Sequence, residues 1–219
     1  MGEHLVYYIS MKKRPTNRYI AIVGVMGSGK TTAGKILRKE LGFPLLEERP
    51  QDNPFLELLY QDMKRWGLHC QLFFTLQRIR QNIEAKKMLA YTSVIHDVPL
   101  EQNMVYTRTH QKLGHITTSE YNLIANIVKL YSPQMISPDL LIVLEASMDL
   151  LQKRIAKRGR NYEQNVPMDY IATLRRIQNN WTSKYPKDKK ILIPMDKVDL
   201  KRKVDREMFV ETVKAALKK

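Results

Sequence analysis

Apolar positions along this chain fall into short unbroken runs, separated by longer stretches where they recur every three or four residues. The runs are "YIAIVGV" (19–25), "PLLE" (44–47), "TSVIHDV" (92–98), "DLLIVLEA" (139–146) and "KKILIPM" (189–195). Each predicts a strand buried on both faces. Between them the spacing is helical. "TTAGKILRKEL" (31–41) predicts a helix stopped by Gly42, with Pro44 just beyond. In "DNPFLELLYQDMKRW" Asn53 is the expected N-cap and Pro54 the first helical residue, where its missing N–H costs nothing. A long helix is predicted over 67–89, with Leu72, Leu76, Ile79 and Ile83 on one inward stripe. Gln71 and Arg78 are nearly eclipsed and lie roughly 100° around from that stripe, placed to line a pocket. Two helices fill 99–134. Ser147 caps another, with Met148, Leu151 and Ile155 inward, and a last helix carries Phe209, Val213 and Leu217. Strands that alternate with helices in this way predict an α/β domain with a parallel sheet covered on both faces.

Composition narrows the class only a little. A chain of 219 residues, 43% hydrophobic and 27% charged, suits one sizeable globular domain. It is expected over 19–219, after an N-terminal extension of residues 1–18. No apolar stretch approaches the roughly 20 residues of a membrane span, and residues 1–18 show no secretory signal pattern. The single cysteine, Cys70, excludes an internal disulfide framework and suits a cytoplasmic location, where it reads as a small buried hydrophobe. The formal charge of +15 is spread in short clusters along the chain. That distribution reads as solvated surface and argues against a nucleic-acid face, which would gather its basic residues with exposed aromatics between them.

The chemistry enters at "GVMGSGKTT" (24–32). It matches G-x-x-x-x-G-K-[ST] without a gap and lies between the first strand and the first helix. Gly24, Gly27 and Gly29 allow the backbone to turn its N–H groups inward, with Val25, Met26 and Ser28 between them. The following helix adds its positive N-terminal end. Lys30 is placed for the β- and γ-phosphates of ATP, Thr31 for Mg2+, and Thr32 completes the loop.

Four further stretches follow in order: "LLEERPQDNPFLELLYQD", "KRWGLHCQLFFTLQRIRQ", "IHD", and "KRGRNYEQ" within "RIAKRGRNYEQNVPMDY". With the phosphate loop they resemble the deoxynucleoside kinases, particularly the bacterial deoxyadenosine/deoxyguanosine branch, over about residues 19–185. The resemblance implies a P-loop kinase fold with strand order 2-3-1-4-5 and an arginine-rich lid. It implies ATP-dependent phosphorylation of a deoxynucleoside 5′-hydroxyl in nucleotide salvage, with purines favoured, and a homodimer. Glu48 matches the general base, with Glu47 as the fallback. Tyr60 and Glu163 match the contacts to the sugar 3′-hydroxyl, Gln71 the paired bonds to the base edge, and Arg78 a second base-side contact. Asp97 matches a substrate-side and Mg2+ position beside Thr31, and Arg158 and Arg160 match the lid.

The chain departs from the family pattern twice. Val98 follows Asp97 where the family carries an arginine, and Arg49 follows Glu48 where it carries a proline. Arg49 is the nearest cation in sequence to make good the loss. The alternative reading is a catalytically lapsed nucleotide-binding relative with a structural or interaction role.

Overall fold

The computed structural model describes residues 16–160, 162 and 166–218, so residues 1–15 of the expected extension lie outside it. Asn17 and Arg18 are already tied to the domain. Asn17 Nδ2 donates to the Leu89 carbonyl at 3.0 Å, and the Arg18 N–H to Ser93 Oγ at 2.9 Å.

Strands β1 (Tyr19–Val23), β2 (Leu45–Leu46), β3 (Val94–Asp97), β4 (Leu140–Glu145) and β5 (Lys190–Pro194) form one sheet. Its order is β2-β3-β1-β4-β5, the order the resemblance implied. All pairings are parallel, which sets Ile22 level with both Asp97 and Ile142. Parallel neighbours need long crossovers, and helices supply them. They are α1 (Lys30–Leu41), α2 (Leu56–Gln61), α3 (Met63–Met88), α4 (Leu100–Lys112), α5 (Thr118–Tyr131), α6 (Met148–Arg158), α7 (Met168–Lys184) and α8 (Lys203–Leu217). None of the described helices is long and apolar enough to cross a membrane.

Alternation along the strands sends side chains to two layers. Ile20, Ile22, Ile142 and Leu144 pack with Ala33 and Leu37 of α1 and with Phe209 and Val213 of α8. Ala21, Val23, Leu141 and Val143 pack on the other face, against Trp181 and Tyr185. Cys70 is buried with Leu56, Leu59 and Phe74, and burial pushes its thiol up to about 12, so it serves as apolar filling.

Between residues 53 and 89 the structure corrects the pattern. Asn53 Oδ1 accepts the Phe55 N–H at 3.0 Å and closes a turn, and the helix begins only at Leu56. The next break comes at Asp62 rather than near Gly67, because the Asp62 carboxylate accepts the N–H groups of Lys64 and Arg65 and caps α3. The expected apolar stripe is only half inward: Ile79 is buried, but Leu76 is 42% exposed. Gln71, Thr75, Arg78 and Asn82 form the buried face instead. Gln71 and Arg78 are thus on that face, not beside it, and α3 turns its polar side into the protein. Helix α7 had no counterpart in the sequence reading. Its buried positions run from Tyr170, Ile171 and Leu174 to Gln178 and Thr182, so the apolar period fades after two turns.

Those buried amides anchor the loop after β1. Gln102 of α4 accepts the Gly24 N–H at 2.9 Å and donates to the Gly24 carbonyl at 3.1 Å. Its amide also donates to Gln178 Oε1 of α7 at 2.5 Å. Gln102→Met should therefore leave the Gly24 N–H and Gln178 Oε1 buried without partners, a loss of about 3 kcal/mol. Urea unfolding measures it, and a loss under about 1 kcal/mol would mean these bonds are replaced by others.

Candidate active site

The phosphate turn, the start of α1, β2 with the segment after it, and parts of α3 and α6 line one cleft of about 1680 Å³, larger than the roughly 300–1,000 Å³ of a single-ligand pocket. The loop 24–29 forms its floor. Gly29 is the N-cap of α1 at φ 102°, a left-handed conformation suited to glycine. At Gly24 a Cβ would lie 2.3 Å from Ser28 Oγ, so the tight turn has no room for a side chain. Arg154 of α6 donates to the Ser28 carbonyl at 3.0 Å and holds the loop from the opposite lip. Lys30 is buried, and its Nζ donates to the carbonyls of Gly24 at 2.8 Å and Val25 at 3.3 Å. Burial pulls its pKa down, opposed by the nearby carboxylates of Asp97 and Glu48.

Glu48 follows the short strand β2 and faces the same cleft. Arg78 is fully buried, and its Nη2 donates to Glu48 Oε1 at 2.7 Å. Its Nη1 donates to Gln81 Oε1 at 2.6 Å, while Nε is buried with no partner among the described residues. Glu47 points elsewhere, to Lys35 and Arg38 on α1 at 3.9 and 3.8 Å. The structure thus separates the two candidate carboxylates: only Glu48 meets a buried cation. Arg49 is exposed and makes no ion pair among the described residues. The cation against Glu48 comes from α3, 30 positions away along the chain, where no local pattern points to it. Val98 is buried at φ 73°, the only described non-glycine residue with positive φ. A β-branched residue rarely adopts that conformation, so backbone strain sits at the site itself.

Farther along α3, Gln71 Oε1 accepts from Thr107 Oγ1 at 3.2 Å, and Asn103 Nδ2 donates to Thr75 Oγ1 at 2.8 Å. Thr75, Asn103 and Thr107 are buried polar groups that the sequence reading missed, because a polar inward face has no hydrophobic period. Tyr60 of α2 stacks on Tyr162 with ring centroids 5.6 Å apart, and the Arg160 guanidinium lies 6.0 Å from the Tyr162 ring centroid. Arg158 and Arg160 both line the cleft. Glu163 lies outside the described residues.

The family model for deoxynucleoside kinases matches residues 20–218. The chain belongs to the deoxynucleoside kinase family. It is 32% identical over 209 residues to a deoxyguanosine kinase of Lactobacillus johnsonii, covering 91% of this chain and 92% of that one. It is 29% identical over 174 residues to the deoxyadenosine/deoxycytidine kinase of Bacillus subtilis, covering 77% and 78%. The structure of a deoxyadenosine kinase from M. mycoides with the products dCMP and dCDP superposes with a TM-score of 0.79. That match covers 90% of this chain and 99% of the other at 24% identity, and supports the fold.

In this deoxynucleoside kinase the oxygen donors for a metal are few and hard. Thr31 Oγ1 donates to Asp97 Oδ2 at 2.9 Å, while Asp97 Oδ1 is buried with no partner among the described residues. No group of three or more metal-ligating His, Cys, Asp or Glu side chains occurs among the described residues. A hydroxyl and one orphaned carboxylate oxygen fit Mg2+, which is held largely by water and substrate phosphates.

Burial pushes the Asp97 carboxyl up to about 6, against the opposing pull of Lys30. Between its ordinary value near 4 and about 6, the folded protein keeps a proton that the unfolded chain has released. Stability of the metal-free protein therefore falls as pH rises through that window. Asp97→Asn abolishes the ionisation, and Thr31 can still donate to the amide oxygen. Metal-free urea unfolding should show the variant about 2–3 kcal/mol more stable near pH 7.5, with the difference vanishing below about pH 4.

Proposed function

We propose that this deoxynucleoside kinase transfers the γ-phosphoryl group of ATP to the 5′-hydroxyl of a deoxynucleoside, with purine deoxynucleosides preferred, in cytoplasmic salvage. One observation carries the assignment: Glu48, held by a buried arginine, faces the same cleft as a complete phosphate loop. The purine preference rests on relatives named as deoxyguanosine and deoxyadenosine kinases.

In this reading the loop N–H groups of residues 24–32 and the N-terminus of α1 cradle the β- and γ-phosphates, and Lys30 leaves its carbonyl partners to join them. Glu48 Oε2 makes no hydrogen bond among the described residues and receives the 5′-hydroxyl proton. The 5′-oxygen forms a bond to the γ-phosphorus as the bridging oxygen to the β-phosphate leaves with ADP. Thr31 and Asp97 would hold Mg2+, which when bound would supply charge neutralisation on the phosphates. Arg158 and Arg160 act from the lid, where a planar cationic fork suits phosphate oxygens. Tyr60 and Glu163 bind the sugar 3′-hydroxyl. Gln71 pairs with the base edge, and the unpartnered Nε of Arg78 is the donor left for a base-side contact. A second copy of the chain covers the face where Leu76 of α3 and Leu123 and Leu130 of α5 stand 42%, 50% and 74% exposed. The lapsed reading is disfavoured, since a non-catalytic relative has no need of a buried cation on Glu48 opposite an intact loop.

ADP release from ATP, measured with each of the four deoxynucleosides, tests the assignment. Deoxyguanosine or deoxyadenosine should give the highest kcat/KM, a clear preference for thymidine would overturn the purine assignment, and no turnover with any would overturn the function. Lys30→Ala should abolish turnover. Glu48→Gln should lower kcat by about a hundredfold or more while leaving deoxynucleoside binding within about threefold, because its task is confined to the moving proton. A larger loss in Glu47→Gln would transfer the role to its neighbour.

A further inference from the structure

Behind Glu48 lies a chain of hydrogen bonds that runs from the half-buried Gln81 at the cleft wall to the buried Tyr19–His96 pair, and the reaction as described does not use its inner part. Gln81, one turn beyond Arg78 on α3, is at its centre. Its Nε2 donates to the Glu47 carbonyl at 3.0 Å, which fixes the amide orientation, since a carbonyl can only accept. Its Oε1 then accepts from Arg78 Nη1 at 2.6 Å and meets His96 Nε2 at 3.2 Å. With Oε1 fixed as an acceptor, His96 Nε2 must carry the proton. In the neutral ring Nδ1 is then the acceptor, and it takes the Tyr19 hydroxyl proton at 2.7 Å. Every donor and acceptor along this path has one consistent assignment.

The path ends at both sides of the same carboxylate. Through Arg78 it holds the Glu48 side chain, and through the Glu47 carbonyl it holds the backbone one residue earlier. Its other end is rooted in the sheet, at Tyr19 in β1 and His96 in β3, both fully buried. A side chain on a loop after a two-residue strand would otherwise have little to fix it.

We propose that Gln81, oriented by His96 and Tyr19, is a positioning residue that aims Arg78 and the end of β2 so that Glu48 is held for proton abstraction. The proposal rests on the kinase reading above. Gln81 lines the cleft wall, but in that reading it has no role on substrate or phosphate and acts through Arg78 and the Glu47 carbonyl.

Two substitutions test it. Gln81→Leu removes all three bonds. Gln81→Glu keeps the shape but loses the N–H to the Glu47 carbonyl and sets a second carboxylate beside Arg78, which draws the guanidinium from Glu48. In steady-state kinetics both should lower kcat by about tenfold or more, since displacements near 1 Å are costly in such sites. KM for ATP and for the deoxynucleoside should stay within about threefold. A packing role would leave the near-isosteric Gln81→Glu close to wild type. That outcome, or a loss expressed in KM with kcat unchanged, overturns the proposal. If thermal melts show that Gln81→Leu does not fold, Gln81→Glu decides the matter alone. If wild type phosphorylates none of the four deoxynucleosides, the kinase reading fails separately. A crystal structure of Gln81→Glu then tests positioning by itself: Glu48 should have left Arg78, and a contact still near 3 Å would overturn the proposal.

Discussion

A charge taken out of water must meet its opposite, and that constraint organises the end of this sheet. Lys30, Arg78 and Asp97 are each at most 8% exposed, within one region below the cleft. An isolated buried ion costs several kcal/mol even after the protein relaxes. Arg78 therefore fixes where Glu48 can be, and Glu48 fixes the end of β2. Lys30 satisfies itself on two loop carbonyls, with Asp97 and Glu48 as its nearby anions. The strand order matters because it sets β2, β3 and β1 side by side, so the loops carrying Glu48, Asp97 and the phosphate turn converge.

The strands and the phosphate loop were legible because their signals are local. Five apolar runs became five strands, and the turn between β1 and α1 carries its chemistry in nine consecutive residues. The buried face of α3 was illegible for the opposite reason. Gln71, Thr75, Arg78 and Asn82 recur at helical spacing but are polar, so a hydrophobic reading gives the inward face to Leu72 and Leu76. Helix α7 disappears in the same way where Gln178 and Thr182 take over its inner stripe. The Gln102–Gly24 bond spans 78 positions and the Arg78–Glu48 pair spans 30, and no spacing rule connects such residues.

The departure at Val98 shows how sequence proximity misleads. Arg49 adjoins Glu48, which made it the obvious replacement cation. Arg49, however, lies beyond the end of β2 at φ −117° and ψ 80°, is exposed, and makes no ion pair among the described residues. The cation that meets Glu48 is supplied from another element. Arg78 comes from across the cleft wall, with its guanidinium carbon 5.8 Å from the Phe74 ring centroid.

In the proposed reaction, that arrangement also lets a paired carboxylate serve as the base. A guanidinium that bridged both oxygens would lock Glu48 and leave little basicity for a substrate. Arg78 instead spends one nitrogen on Oε1 and the other on Gln81. Each carboxylate oxygen offers two lone pairs, so Oε2 remains open to a hydroxyl while Oε1 stays anchored. Orientation and reactivity are thus assigned to different oxygens of one group. Splitting the guanidinium between Glu48 and a neutral amide is what permits it, and the amide can play that part because Tyr19 and His96 hold it from the sheet.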